Sequence, residues 1–113
     1  MINQEQINHL VQNIVASYHP EKVILFGSYA TGKQTENSDL DLLIIKNTEL
    51  PPHKRTAEIS SLLKGVLFPI DILIYTITEF EQLKNQKFSF LYQALAINKI
   101  LYEQPRNNTT MVA

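Results

Sequence analysis

Three short apolar segments constrain what this chain can fold into. They are Lys22–Phe26, Leu40–Lys46 and Ile70–Tyr75. Runs of this length, rich in Val, Ile and Leu, are typical of buried strands. The stretches around them carry apolar residues three and four positions apart, which is the spacing of helices. We therefore predict an α/β domain with a small mixed β-sheet flanked by helices.

Four helices are expected around the strands. Their approximate limits are Ile7–Tyr18, Lys54–Val66, Thr78–Asn85 and Phe88–Tyr102. His19-Pro20 ends the first helix, Lys54-Arg55 forms a solvated start of the second, and Thr78 with Glu81 resembles a capping box for the third. The resulting order is α-β-β-α-β-α-α.

The last of these helices is apolar almost all round. It has more apolar surface than so small a sheet is expected to cover. Two alternatives follow: a helix within the core, or a partner interface that includes Phe90 or Leu91. The second alternative, a partner interface, would be consistent with a homo-oligomer or a hetero-oligomer.

Length and composition indicate one soluble domain. With 113 residues, we expect the folded domain to span residues 1–104 and a polar tail to span 105–113. Membrane-span and signal-peptide patterns are not found, so a cytoplasmic location and no membrane partner are expected. A net charge of −1 argues against binding long nucleic acid, which needs a basic face.

The chain has no cysteine, which excludes disulfides and thiolate metal sites. Oxygen-ligated metals are then the natural metal hypothesis. Asp39 and Asp41 open the second predicted strand, and residues two apart on a strand lie on one face. Their carboxylates can converge on hard cations such as Mg²⁺, although alone an Asp-x-Asp is more often part of a solvated turn.

A third acid strengthens the metal hypothesis. Asp71 begins the apolar side of the third strand, as Asp39 and Asp41 begin that of the second. If these strands are neighbours, the three carboxylates meet, and bound Mg²⁺ would offset their repulsion. Gly27-Ser28 follows the first strand, where a glycine permits close approach of the backbone to a phosphate.

These residues together resemble a known family. Gly27-Ser28-Tyr29-Ala30-Thr31-Gly32 followed by Asn37-Ser38-Asp39-Leu40-Asp41-Leu42-Leu43-Ile44 is similar to the signature of the DNA polymerase β-like nucleotidyltransferases, specifically the minimal nucleotidyltransferases. The resemblance covers nearly the whole chain, including the third acid. It implies the polymerase β-like nucleotidyltransferase fold.

The resemblance also implies roles for single residues. Asp39, Asp41 and Asp71 would be catalytic and would ligate two Mg²⁺ ions, for which Mn²⁺ can substitute. Gly27, Ser28, Lys33 and Ser38 would bind ATP or another nucleoside triphosphate. Family members commonly carry an arginine in the turn after Gly-Ser, where this chain has Thr31, and Lys33 is taken as its substitute.

The implied function is transfer of AMP from ATP to a hydroxyl acceptor. Minimal members are frequently paired with a helical HEPN-type ribonuclease toxin, which they neutralise by adenylylating a tyrosine. The resemblance therefore favours an antitoxin role. The alternative is a binding antitoxin or subunit that neutralises its partner through contact alone, which the missing arginine favours and the three acids oppose.

Overall fold

The computed structural model describes residues 1–105 and contains a four-stranded sheet. The strands are β1 (Lys22–Phe26), β2 (Leu40–Ile45), β3 (Ile70–Tyr75) and β4 (Lys99–Glu103). Their order across the sheet is β3-β2-β1-β4. β1 runs antiparallel to both β2 and β4, whereas β2 and β3 are parallel. The predicted small mixed sheet is confirmed.

Helices cover both faces of this sheet. They are α1 (Gln4–Tyr18), α2 (Ser28–Thr31), α3 (Ile77–Leu83), α4 (Phe90–Ala94) and a 3₁₀ helix (Pro52–Leu63). α1 begins with a capping box between Asn3 and Gln6 and ends at His19, whose φ is 53°. A left-handed residue satisfies the last carbonyls of a helix and turns the chain away. The chain can then enter β1 at once.

The sheet separates two hydrophobic cores. α1 and the 3₁₀ helix pack against Leu40, Leu42 and Ile44 of β2, whereas Leu43 and Ile45 face α3 and α4. β3 alternates in the same way, with Leu73 and Tyr75 packed on the α3–α4 side. Since successive strand residues point to opposite faces, Asp41 and Asp71 lie on the α3–α4 side of the sheet.

The predicted helix over Phe88–Tyr102 is wrong. Its first part forms the short helix α4, and its last part forms β4, which pairs with β1. Without β4, β1 would leave a row of backbone amides and carbonyls unpaired at the sheet edge. The fold therefore uses this apolar segment as a strand. Leu91 is buried and belongs to the core, whereas Phe90 is half-exposed.

Two helical predictions need a smaller correction. The helix predicted over Lys54–Val66 is present, but it is a 3₁₀ helix over Pro52–Leu63. The predicted capping box of Thr78 and Glu81 lies two residues earlier, where Thr76 and Glu79 cap α3. α3 begins at Ile77, so Thr76 is the N-cap and Glu79 the third residue of the helix, and the Glu79 carboxylate has a second partner besides the Thr76 amide.

That partner is Arg55, which is buried rather than solvated as predicted. Arg55 donates two hydrogen bonds to the Glu79 carboxylate, at 2.6 and 3.0 Å, and a third to the Ile74 carbonyl. The hydrogen bond from Arg55 lowers the pKa of Glu79 below its usual value. The bidentate pair ties the 3₁₀ helix and α3 to β3.

Each helix in the described part of the chain, residues 1–105, is too short or too polar to span a lipid bilayer. The predicted polar tail over residues 105–113 lies, apart from its first residue, outside the described part of the chain.

Candidate active site

The three aspartates lie at one end of β2 and β3. Asp39 directly precedes β2, and Asp41 is the register partner of Asp71 on the neighbouring parallel strand. Register partners on adjacent strands are separated by about 5 Å. The structure therefore places Asp41 beside Asp71 on the α3–α4 side of the sheet, as the sequence predicts.

The carboxylates also influence one another electrostatically. The pKa of Asp41 is raised by its burial and, to a smaller extent, by the negative charges of Asp71 and Asp39. Asp39 and Asp71 are exposed, while Asp41 is partly buried between them and the sheet. The arrangement concentrates negative charge on a surface that solvent and a substrate can both reach.

The donor atoms suit a hard divalent cation, because all are carboxylate oxygens. Among the described residues 1–105, however, no group of three His, Cys, Asp or Glu residues is close enough to hold a metal ion. Asp41 and Asp71 are fixed by strand pairing, whereas Asp39 lies in the exposed turn before β2. A complete three-carboxylate site therefore requires a rearrangement of side chains, and Asp39 has the space for it.

Gly27 makes the closest approach to this acidic surface. It adopts φ 74° and ψ −156° between β1 and α2, a conformation that favours glycine. A methyl group on its Cα would overlap Asp41 Oδ2 and would lie 3.0 Å from Asp41 Cγ. The glycine thus both turns the chain and leaves the space that the Asp41 carboxylate occupies.

The turn after Gly27 is closed by its own hydrogen bonds. The amides of Ala30 and Thr31 donate to the Gly27 carbonyl, and the amide of Lys33 donates to the Ser28 carbonyl at 3.1 Å. Thr31 also donates its hydroxyl to the Ser28 carbonyl, at 3.2 Å. Thr31, at the position where the sequence resemblance implies an arginine, is therefore engaged within α2, and Lys33 is an exposed cation nearby.

Ser38 and Tyr29, two residues of the motif, line a cleft on the α1 side of the sheet. The Ser38 hydroxyl accepts a hydrogen bond from the Thr35 amide at 2.8 Å. Ser38 also lines a cleft of about 240 Å³ together with Tyr29 and Phe68, and these two rings pack with the α1 side of the sheet. Tyr29 is buried and accepts a hydrogen bond from the Ile2 amide. Ser38 as a nucleotide ligand stays a prediction.

Sequence reasoning missed one aromatic pair beside the acids. Phe26, the last residue of β1, is the register partner of Asp41. The ring of Phe90 lies edge-to-face on the ring of Phe26, with centroids 5.9 Å apart and planes at 82°. No local pattern relates α4 to β1, so only the folded chain shows this contact.

The raised pKa of Asp41 predicts a pH dependence of stability without metal. The folded state binds a proton at Asp41 more tightly than the unfolded state, so this group makes stability fall as pH rises from its usual pKa to the raised value. Glu79, whose pKa is lowered, acts in the opposite direction. Melting temperatures of wild type and Asp41→Asn in chelator, from pH about 3 to 7, should diverge as pH rises, with wild type the lower at neutral pH. Parallel curves would contradict the raised pKa of Asp41 in the folded chain.

The family model described as "Polymerase beta, Nucleotidyltransferase" matches residues 5–107 of the chain. A protein of Methanocaldococcus jannaschii described as a "putative protein adenylyltransferase" is 32% identical over 106 residues. That alignment covers 90% of this chain and 100% of the relative.

Two solved structures share the fold. A protein from Sulfolobus solfataricus described as a "putative nucleotidyltransferase" superposes with a TM-score of 0.62 at 19% identity, covering 87% of this chain and 78% of the other. A structure described as a toxin-antitoxin with AMP-PNP superposes with a TM-score of 0.57 at 21% identity, covering 96% and 80%. At these identities the likeness concerns the fold.

Proposed function

Because the chain belongs to the polymerase beta nucleotidyltransferase family, we propose that it transfers AMP from ATP to a hydroxyl group of an acceptor. The observation that carries the proposal is the placement of Asp41 directly between Gly27 and Asp71. The turn proposed to bind phosphate and the acid proposed for the acceptor side then lie on either side of one partly buried carboxylate. This order suits an in-line displacement at phosphorus.

The proposed reaction breaks one bond and forms another. The acceptor oxygen attacks the α-phosphorus of ATP, the bond from that phosphorus to the bridging oxygen breaks, and pyrophosphate leaves with the electron pair. Asp39 and Asp41, completed by Asp71, would hold Mg²⁺ or Mn²⁺. Bound there, the metal would lower the pKa of the hydroxyl and neutralise the triphosphate.

The residues of the chain have separate tasks in this scheme. The Gly27-Ser28 turn holds the triphosphate, with Lys33 as the nearby cation in place of the usual arginine. Asp71 is exposed on β3, on the side of Asp41 away from that turn. We assign Asp71 to the acceptor side, where its carboxylate takes the proton that the hydroxyl loses.

For the acceptor we propose a tyrosine of a HEPN-type ribonuclease, with this chain as the antitoxin. The proposal rests on the resemblance to minimal nucleotidyltransferases and is supported by the shared fold of the toxin-antitoxin structure with AMP-PNP. The described residues form one small sheet with its helices and include no second unit that could hold an acceptor. A protein acceptor would bring its own surface.

Asp71→Asn tests the assignment. We expect transfer of labelled AMP to the partner to fall about 100-fold, because loss of one acceptor-side contact in the transition state should lower the rate by about two factors of ten. ATP binding should stay close to wild type. The measurement is transfer from labelled ATP with Mg²⁺ and the candidate ribonuclease, and Glu49→Gln, an exposed acid on the loop after β2, is the control. Equal labelling by wild type and Asp71→Asn would refute the role.

A function by contact alone is the second candidate. Thr31 uses its hydroxyl within α2 and offers no cation at the position of the common arginine. The two candidates differ in their need for nucleotide. Neutralisation of the ribonuclease by wild type and by Asp71→Asn alike, in the absence of ATP, would favour contact alone.

A further inference from the structure

We infer that Phe90 is the residue on which the nucleobase of the nucleotide stacks, an inference that rests on the proposed function. Three side chains form a row on the α3–α4 side of the sheet: Asp71, Asp41 and Phe26, on β3, β2 and β1. Phe90 adjoins the Phe26 end of this row. The aromatic pair and the acceptor-side acid therefore lie at opposite ends.

The order of the row favours the nucleotide over the acceptor, because Phe26 lies at the end opposite the acceptor-side acid. Phe26 directly precedes Gly27, but its ring packs on the α3–α4 side of the sheet, whereas α2, which follows the turn, packs on the α1 side through Tyr29 and Ala30. In a nucleoside triphosphate the base lies beyond the α-phosphate, on the side away from the leaving pyrophosphate. An aromatic surface one side chain away from Asp41 is suitably placed for that base.

The Phe90 ring is available and held in place. It is 56% exposed, whereas Phe26 beneath it is 8% exposed and the adjacent Leu91 is 1% exposed. Ser89 caps α4 by accepting from the Tyr92 amide and also donates its hydroxyl to the Leu83 carbonyl at 2.8 Å. Because the helix is fixed on both sides of the ring, little conformational freedom would be lost on stacking.

The neighbouring Phe88 provides a matched comparison. It belongs to the same segment and is 97% exposed, but it precedes the cap of α4 rather than following it. An exposed phenylalanine alone has no functional meaning. What distinguishes Phe90 is its contact with the ring that borders Asp41.

The test compares ATP with tripolyphosphate, which lacks a base. Both are titrated calorimetrically, with Mg²⁺, into wild type, Phe90→Leu and Phe88→Leu. Leucine keeps an apolar cover over Phe26 but removes the aromatic face. We expect Phe90→Leu to weaken ATP binding about tenfold, in the range found for loss of base stacking, and to leave tripolyphosphate binding unchanged. Phe88→Leu should change neither.

A second measurement uses the absence of tryptophan from the chain. Phe90→Trp keeps an aromatic face and introduces a single indole, whose fluorescence should change when ATP binds but not when tripolyphosphate binds. Phe88→Trp is the control and should not respond.

The outcomes separate the inference from the function on which it rests. If wild type binds ATP and tripolyphosphate but Phe90→Leu binds ATP equally well, the inference is wrong and the proposed function is unaffected. If Phe90→Leu binds ATP normally but transfers less AMP, the ring contacts the acceptor, which also overturns the inference. If wild type binds neither ligand, the proposed function fails and the inference fails with it.

Discussion

Asp41→Asn is expected to reduce AMP transfer at least about 1000-fold while leaving the metal-free protein as stable as wild type or more stable. The carboxylate is the central one of the three, so its loss removes both a charge on the metal and the link between the phosphate turn and Asp71. Several kcal/mol of transition-state stabilisation are at stake, and each 1.4 kcal/mol is about tenfold in rate.

The stability half of this prediction follows from the raised pKa of Asp41. Partial burial, together with the negative charges of Asp71 and Asp39, makes ionisation of Asp41 less favourable in the folded chain than in the unfolded chain. Asparagine has nearly the same shape and no charge, so the repulsion disappears without leaving a cavity. Thermal melting in chelator measures this effect, and added Mg²⁺ with ATP should stabilise wild type but not the double variant Asp39→Asn/Asp41→Asn.

A structural role for Asp41 would produce the opposite result. If Asp41→Asn melted well below wild type, the carboxylate would be part of the fold rather than of a reaction site. Retention of wild-type transfer would equally contradict its assignment.

Gly27→Ala should disable the protein in a second way, through the backbone turn. A side chain at φ 74° is strained, and its methyl group would occupy the place of Asp41 Oδ2. Strain and overlap together should cost about 3 kcal/mol of unfolding free energy. If Asp41 rotates away instead, stability is partly recovered but the carboxylate leaves its position, so transfer should be lost in either case. Denaturant unfolding and the labelled-ATP assay measure the two effects.

Gly32→Ala is the matched control for this variant. Gly32 also has a positive φ, 80°, but an added methyl group there would meet nothing within 4 Å. Gly32→Ala should lower the free energy of unfolding only by the backbone strain of about 1–2 kcal/mol and should leave the carboxylates in place. Equal loss of transfer in both variants would show that turn strain, and not the contact of Gly27 with Asp41, decides activity.

The strands of the sheet could be predicted from sequence where their signal is local. β1 and β3 have the predicted limits and β2 ends one residue earlier, because a continuous apolar run marks a buried strand without reference to the rest of the chain. β4 could not be found in this way. Its choice of strand over helix depends on the free edge of β1, which lies far away in the sequence.

In the candidate site, too, features with a local sequence signal could be predicted and contacts between distant segments could not. The common face of Asp41 and Asp71 follows from strand alternation, whereas Asp39 lies just before β2 and its side chain is not fixed by the strand. The buried ion pair of Arg55 and the contact between Phe26 and Phe90 each join distant segments, and neither has a local signature. From sequence alone, Lys54-Arg55 at a helix start is predicted to be solvated, because nothing nearby in the chain indicates that Glu79 of α3 pairs with Arg55.

The pairing of Lys22 with Glu103 at the edge of the sheet has a consequence for the order of folding. A chain leaves the ribosome from its N-terminal end, and contacts between distant segments wait for the later one to be made. Of the four strands described, β4 is made last, so β1, β2 and β3 can associate and bring Asp41 beside Asp71 before β4 is free to pair. During that interval β1 presents an open backbone edge to other chains. The fold therefore allows the acidic site to assemble before β4 protects the edge of the sheet.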